Sequence, residues 1–405
     1  MAKIRPFRAL RPEPSLAARI AAVPYDVVNT AEARALAADN PLSFLHVSRS
    51  EIDLPAETNP YADIVYRTAA ERFAAMREHM VEEPEPALYF YRLRMGSHEQ
   101  TGLAACYSVD EYDAGLVKKH EKTRRDKEDD RTRHITELRA QTGPVFLTYH
   151  ASAAVDAVAA KVAATPPLYD YVAPDGVAHT VWKVTGEDMI AVVDAFGALP
   201  ALYIADGHHR AASAARVRRH LAREAGKDGV VEADWFLAVA FPDNQTQVLP
   251  YNRTVKDLAY LTPDTFMDAV RAVFAVREGG PAAPAKKGDG AMFFGGTWYT
   301  LDIGAKAGDD VISRLDVSIL QEHLLAPVLR IADVRTDKRI DFVGGIRGTA
   351  ELERLVTSGK AAVAFSMYPV SVADLMGIAD AGEIMPPKST WFEPKLRDAL
   401  LIHTI

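Results

Sequence analysis

The chain has 405 residues, 48% of them hydrophobic and 25% charged, which is the composition of a globular protein and not of a disordered or fibrous one. Its formal net charge of −8 argues against a general binder of nucleic acid or anionic membranes. The one cysteine, Cys106, excludes an internal disulfide framework and a cysteine-rich zinc module. The sequence has no apolar run of signal-peptide length at its start and none near the ~18 residues of a membrane span, so we expect a soluble, cytoplasmic protein.

The first half of the chain is predicted to mix helices with short strands. Pro24 disfavours a helical conformation for the residue before it, and Thr30 is of a type that often caps a helix. In chain order, the patterns predict an extended segment over 23–28, a helix over 31–38 with Thr30 as its N-cap, a strand over 44–48, a helix over 61–80, a hairpin of 87–93 with 103–109, a charged helix over 118–139, a strand over 145–149 and a helix over 153–164.

The second half shows a similar irregular alternation. The patterns predict strands over 180–184 and 201–205, an Ala/Arg-rich helix directly after the second strand, strands over 236–241 and 247–249, a hairpin around Gly295 and Gly296, a helix over 317–329, a strand over 340–343, a helix over 350–356, a strand over 361–367, a helix over 372–379 and a strand over 400–403. This order predicts an α+β fold with mixed sheets and flanking helices rather than a repeat architecture.

One stretch, 277–291, has the Gly/Pro-rich composition of a linker or surface loop. The predicted division is therefore a core with insertions over 1–276, this linker or loop over 277–291, and an α/β region over 292–405 whose end returns to the core.

The run Asp206-Gly-His-His-Arg210 lies where a predicted strand meets a predicted helix. Gly207 permits a tight turn, and the first amides of the helix stabilise an anion such as phosphate. Arg210 adds a guanidinium suited to phosphate, while His208 and His209 can donate hydrogen bonds or move protons. Asp206 can accept a proton or hold a divalent metal ion. The alternative is an aspartate that caps the helix, followed by two surface histidines.

Asp26 is the second candidate, since it follows Pro24 and Tyr25 in a short non-helical segment. A carboxylate in such a place can act as a general base or a metal ligand. The alternative is a turn aspartate that bonds to its own backbone.

Further polar groups suit the recognition of a phosphate chain. They are His120 and Lys122 in a cation-rich run, Arg253 at the end of a predicted strand, and Lys388, Ser389 and Thr390 between a proline pair and an aromatic pair. The alternatives are a solvated charged helix for the first run and a structural clamp for the last. The Gly-rich turn 344–349 has a phosphate-binding shape but matches neither the dinucleotide fingerprint nor the Walker loop.

Taken together, these motifs resemble a bacterial and archaeal family known as domain of unknown function 1015. The segments that carry the resemblance span essentially the whole chain: Pro24-Tyr-Asp-Val27, 40–46, 119–123, 205–210, 249–253 and 385–392. The 205–210 element is also similar to the nucleotide-binding element of the ParB and sulfiredoxin superfamily, which includes free serine kinases.

The second resemblance implies a ParB/sulfiredoxin-like core in which residues 206–210 form the phosphate-binding and catalytic loop. Asp26 then matches the carboxylate that activates the serine hydroxyl, a position at which such kinases tend to have glutamate. Sulfiredoxin needs a cysteine inside this loop, where this chain has His208 or His209, so sulfinic acid reductase activity is not expected. The charge of −8 and the lack of a counterpart to the ParB helix-turn-helix domain argue against a partition role.

We therefore expect a phosphotransferase that acts on a small hydroxyl-bearing metabolite, in the first place free L-serine, with a nucleotide or pyrophosphate as donor and Mg²⁺ as cofactor. The expected catalytic residues are Asp26, Asp206, His208 and His209, with Asp206 also a metal ligand. The expected phosphate- and nucleotide-binding residues are Gly207, Arg210, His120, Lys122, Arg253, Lys388, Ser389 and Thr390. Asp26 and Lys388 are expected to lie near Gly207 in one cleft. The alternative function is a nucleotide-binding regulatory or switch protein without metabolic turnover.

Overall fold

The computed structural model describes residues 2–225 and 231–405, which group into two compact units. The first unit comprises Met1–Lys119, Thr123–Thr246 and Pro394–Ile405, and the second comprises His120–Lys122 and Gln247–Glu393. The division of the chain into a core and an α/β region about residues 277–291 stays a prediction. Those residues begin in one strand of the second unit and end in the next.

In the described part of the chain, the first unit is built on a nine-stranded sheet with two small strand pairs beside it. The strands are β1 (Ile4–Arg5), β2 (Leu10–Pro12), β3 (Met80–Glu82), β4 (Leu88–Met95), β5 (His98–Ser108), β6 (Val117–Lys118), β7 (Ala140–Gln141), β8 (Val145–Tyr149), β9 (Tyr169–Val172), β10 (Ala178–Val184), β11 (Leu202–Asp206) and β12 (Trp235–Pro242). In the nine-stranded sheet the order is β6-β11-β8-β12-β5-β4-β10-β9, with β1 paired to β5. The pairs β6–β11 and β8–β12 are parallel and the others antiparallel, so the sheet is mixed.

Helices of this unit pack against the sheet and against one another. They are α1 (Ala17–Ile20), α2 (Thr30–Ala37), α3 (Leu45–Ser48), α4 (Asp63–Met76), α5 (Val109–Asp113), α6 (Arg125–Leu138), α7 (Ala153–Ala163), α8 (Gly186–Gly197) and α9 (His208–Ala225). Tyr107, Tyr149 and Phe196 belong to a core between the sheet and α8. Phe44 and Phe73 belong to a second core among α3, α4 and the C-terminal residues.

The second unit contains an antiparallel sheet of six strands among the residues described. Its strands and helices are β13 (Val248–Leu249), β14 (Tyr251–Val255), α10 (Pro263–Val273), β15 (Ala275–Glu278), β16 (Asp289–Phe294), β17 (Thr297–Asp302), α11 (Asp316–Leu320), β18 (Ile340–Gly344), α12 (Gly348–Thr357), β19 (Val363–Met367), α13 (Val372–Asp380) and β20 (Trp391–Phe392). The order is β15-β17-β16-β19-β14-β18, and β13 pairs with β20. The chain then returns to the first unit, where β21 (His403–Thr404) pairs with β7.

The predicted α+β class, with mixed sheets and flanking helices, is confirmed. Among the helices that the structure describes, none combines the length and the apolar character needed to cross a membrane.

Some local predictions are wrong. In place of the strand predicted over 44–48, Phe44 caps helix α3 (Leu45–Ser48), because a short apolar run does not distinguish strand from helix and the packing of Phe44 on Phe73 favours the helix. Residues 23–28 contain a turn, closed by the Val27 amide donating to the Pro24 carbonyl. The N-cap of α2 is Asn29 rather than Thr30. The charged helix begins at Arg125, since 117–118 pair as β6, and α11 continues in π-helical form over Gln321–Leu325.

Candidate functional site

The candidate site is built on the junction of β11 and α9, where the sequence predicted a strand-to-helix turn. Gly207 makes the turn with φ +96°, a conformation that side-chain-bearing residues rarely adopt. A Cβ at this position would lie 2.8 Å from Nε of Arg210. Glycine is therefore required here both by the backbone and by the close approach of the arginine.

Helix α9 places its N-terminus directly after this turn. The Ala211 amide donates to the Gly207 carbonyl at 3.0 Å, which is the first helical hydrogen bond, so the amides of the first turn have no partners within the helix. Such amides and the helix dipole favour an anion. This end of α9 therefore suits a phosphate group.

The carboxylate of Asp206 is held by two cations. Its Oδ2 accepts a hydrogen bond from Nη2 of Arg210 at 3.2 Å and from Nζ of Lys395 at 3.5 Å. Burial opposes ionisation, but Lys395 and Arg210 outweigh it and hold the pKa of the Asp206 carboxyl well below its usual range. Magnesium prefers oxygen ligands that bring negative charge. An oxygen already shared by two cations does not fit a resident Mg²⁺ ion, so Asp206 is better described as an anchor of the loop.

Arg210 lies beneath the loop. The residue is 8% exposed, and its Nη1 group donates to the Pro144 carbonyl. Its Nε is buried and has no hydrogen-bond partner among the described residues. Burial lowers the pKa of Arg210, but Asp206 and Asp26 more than offset this and raise it, so the guanidinium stays charged. Arg210 contributes its charge and the shape of the loop from within the protein.

His209 is neutral in this arrangement. Burial lowers its pKa, and its Nε2 accepts a hydrogen bond from the Arg124 amide at 3.0 Å. A neutral imidazole that accepts at Nε2 carries its proton on Nδ1. His209 therefore has no free lone pair with which to accept a proton. His208, the neighbouring candidate, is 5% exposed.

Asp26 lies in the turn after Pro24 and is exposed. The buried Tyr25 before it packs under the guanidinium of Arg131, 4.0 Å from the ring centroid. The Asp26 side chain makes no hydrogen bond within the described residues, yet its charge acts on His209 and Arg210. The turn is thus anchored by Tyr25 and presents a carboxylate to the same site.

Asp398 was missed by the sequence analysis. Burial raises its pKa to about 7, although Arg210 opposes the shift. A Cβ on Gly143 would lie 2.5 Å from its Oδ1, so the backbone of Gly143 closely covers the carboxyl group. The available signal was the segment 394–401, in which Lys395, Arg397 and Asp398 lie among apolar residues.

Two cavities in the first unit adjoin these residues. The smaller, about 30 Å³, is lined by Arg210 and Asp398 among others. The larger, about 220 Å³, lies between the Asp26 turn and helices α3, α4 and α6. Tyr25 and Arg131 line both cavities.

The remaining predicted residues lie in the second unit. Arg253 is buried, which lowers its pKa to about 10, and its Nη2 donates to the Lys388 carbonyl at 3.2 Å. Oγ of Ser389 donates to the Pro386 carbonyl at 2.6 Å, and the Met385 amide donates to the His120 carbonyl at 2.8 Å. The structure thus groups these segments around the 385–390 turn. Lys122 and Thr390 belong to the same unit. That they and the Asp206 loop line one cleft stays a prediction.

Residues 4–318 match the family model described as "Protein of unknown function (DUF1015)". A comparison with curated proteins gives no match. Solved structures with some likeness include a mutant free serine kinase in complex with AMP, at TM-score 0.36 and 15% identity over 73% of this chain and 92% of that one. SbnI with a C-terminal truncation from Staphylococcus aureus has a TM-score of 0.37 and 12% identity over 73% and 87%. A conserved hypothetical protein from Pyrococcus furiosus has a TM-score of 0.34 and 16% identity over 73% of this chain and 95% of its own chain. Likeness at this level carries no argument about what this chain does.

Proposed function

The chain belongs to the DUF1015 family of proteins of unknown function, and we propose that it is a phosphotransferase that phosphorylates a small hydroxyl-bearing metabolite, with free L-serine as the first candidate acceptor and a nucleotide or pyrophosphate as donor. The match of residues 4–318 to the family model confirms the family that the sequence motifs indicated. One observation carries the proposal. Within a single unit, a helix N-terminus that suits an anion adjoins the Asp26 turn, whose charge acts on His209 and Arg210.

The donor is expected to place its terminal phosphates at the amides of the first turn of α9. Lys395 and Arg210 bring positive charge to this place, while Asp206 keeps both oriented. Preorganised donors and cations of this kind stabilise the charge that develops on a transferred phosphoryl group.

Proton removal from the acceptor falls to Asp26. His209 is excluded as the base by its hydrogen bond from the Arg124 amide, and Asp26 is exposed. In the proposed step the acceptor oxygen bonds to the terminal phosphorus of the donor. The bond from that phosphorus to its bridging oxygen breaks, the shortened donor leaves with the electron pair, and the hydroxyl proton passes to Asp26.

The direct test is product formation. The full chain is incubated with L-serine, magnesium chloride and ATP, ADP or pyrophosphate in turn, and phosphoserine is followed by ³¹P NMR. We expect many turnovers per protein with at least one donor, and none with L-alanine, which lacks the hydroxyl. Donor hydrolysis at the same rate with every acceptor and with none would overturn the proposal in favour of a nucleotide-dependent switch.

A further inference from the structure

The larger cavity of the first unit has about 220 Å³ of space. At roughly 30 Å³ per water molecule, this space holds about seven water-sized groups, which matches the size of a small metabolite. Its position supports the same assignment, because Tyr25 in its wall directly precedes Asp26.

Arg131 presents a fixed guanidinium to this cavity. Its Nε donates to Oδ2 of Asp130 at 2.8 Å, and its plane is supported by the Tyr25 ring. Asp130 is itself oriented by the hydroxyl of Tyr66, which donates to Oδ1 at 2.7 Å. Both Nη groups of Arg131 lack hydrogen bonds to any described residue. A guanidinium held at Nε and open at Nη is prepared for the two oxygens of a carboxylate.

Ser48 adds an independent observation. The residue is 3% exposed and lines the cavity, yet its Oγ is buried without a hydrogen-bond partner in the part of the chain that the structure describes. Buried hydroxyl groups in folded proteins almost always find a partner. A polar ligand in the cavity would supply it.

The charges of the wall have both signs. Arg49 lies 3.0 Å from Glu51, and Arg131 pairs with Asp130, so these four charges balance. Lys127, whose Nζ donates to the Tyr61 hydroxyl at 3.0 Å, leaves a surplus of one positive charge. Burial lowers the pKa of His134 to about 3, so this residue adds no positive charge. The surplus favours a carboxylate, and the wall also has the carboxylate of Glu51, which can accept an ammonium group.

We propose that this cavity binds a small α-amino acid, with its carboxylate on Arg131 and Ser48 and its ammonium group near Glu51. A role of this cavity in catalysis rests on the proposed function, in which the bound amino acid presents its hydroxyl to the Asp26 turn. Binding itself requires neither donor nor turnover.

The test is calorimetric titration of the full chain, without any donor, with four probes. L-Serine and L-alanine carry both charged groups, glycolate lacks the ammonium, and ethanolamine lacks the carboxylate. We expect L-serine and L-alanine to bind, and glycolate and ethanolamine to bind at least tenfold more weakly. Equal affinity for glycolate and L-serine, or no binding of L-serine at millimolar concentration, would overturn the proposal.

Two serine variants localise the binding. Ser48→Ala removes a hydroxyl that has no partner in the protein, so we expect an unchanged or higher Tm and a Kd for L-serine raised about tenfold. Ser318→Ala is the matched control, because its Oγ is likewise buried without a partner among the described residues but lies in the second unit. It should leave the Kd unchanged. A wild-type Kd in Ser48→Ala would place the amino acid elsewhere.

The outcomes separate this inference from the proposed function. Binding of L-serine that depends on Ser48, with no phosphoserine formed from any donor, would refute the phosphotransferase and support the cavity. Phosphorylation of some other hydroxyl compound, with no amino acid bound, would support the phosphotransferase and refute the amino-acid cavity.

Discussion

Nη2 of Arg210 lies 3.2 Å from Oδ2 of Asp206, so the arginine folds back by one helical turn onto the carboxylate that ends β11. Its Nη1 donates to the carbonyl of Pro144, the residue before β8. One side chain thus joins the loop to the neighbouring strand. The arginine that the sequence suggested as a phosphate ligand thus holds the 206–210 loop in shape.

This pairing makes Arg210 important for folding. We expect Arg210→Ala to lower the free energy of unfolding by about 3–5 kcal/mol, because it leaves the Pro144 carbonyl without this donor and Asp206 with one cation fewer. The measurement is urea denaturation. Arg216→Ala is the control on the same helix, since its partly exposed pairs with Glu128 and Asp129 should contribute no more than about 1 kcal/mol. Equal losses in the two variants would contradict the structural role of Arg210.

The turn at Gly207 gives a second prediction. Gly207→Ala introduces a Cβ at positive φ against the Arg210 guanidinium, and we expect it to destabilise the protein by about 1–3 kcal/mol. The control is Gly377→Ala, within α13, where a Cβ would meet nothing within 4 Å. Alanine is the better helix former there and should stabilise the protein by about 0.5–1 kcal/mol. Thermal unfolding of both variants distinguishes these opposite signs.

Asp398 should make stability depend on pH. Burial raises its pKa to about 7 from an ordinary 3.8, so the folded state binds its proton more tightly than the unfolded state does. The contribution of Asp398 to the free energy of unfolding is therefore largest at acidic pH. It falls as the pH rises from the unfolded-state pKa to the folded-state pKa, and is constant above the latter. The charged groups that act on Asp398 are Arg210, Asp26, Arg131 and Arg397.

The measurement compares wild type with Asp398→Asn by urea denaturation at pH 5 and pH 8. The amide cannot ionise, so we expect wild type to lose stability relative to the variant as the pH rises, by at most about 1.4 kcal/mol per pH unit over that interval. Parallel pH profiles would show that Asp398 is ionised in the folded protein at both values.

Asp26 gives the prediction that bears on catalysis. We expect Asp26→Asn to lower kcat for the proposed transfer about 10²–10⁴-fold, because the amide cannot accept a proton, with little change in Tm because the side chain is exposed. Asp26→Glu keeps a carboxylate and should retain more activity than the amide. Asp39→Asn, at another exposed aspartate of the first unit, serves as the control. Wild-type activity in Asp26→Asn would assign proton removal to another group.

Features set by neighbouring residues could be predicted from the sequence. The β4–β5 hairpin follows from two β-rich runs around a Gly96 turn, and the junction of β11 with α9 follows from an apolar run that meets glycine before a helix-forming segment. The same local rules failed at 44–48. There a short apolar run suits strand and helix equally, and contact with Phe73, distant in the sequence, selected the helix.

The chemistry of the site was decided by tertiary structure. Lys395 reaches Asp206 across a sequence separation of 189 residues, and Asp398 is brought beside the loop by the same return of the C-terminal segment to the first unit. Sequence alone determined that a glycine turn joins a strand to a helix at 206–210 and that an arginine lies in the first turn of that helix. Only the folded chain decided that this arginine is buried, that His209 cannot accept a proton and that a cavity of about 220 Å³ lies beside the turn that carries Asp26. Burial and pairing between distant segments set charge and protonation, and no local pattern encodes them.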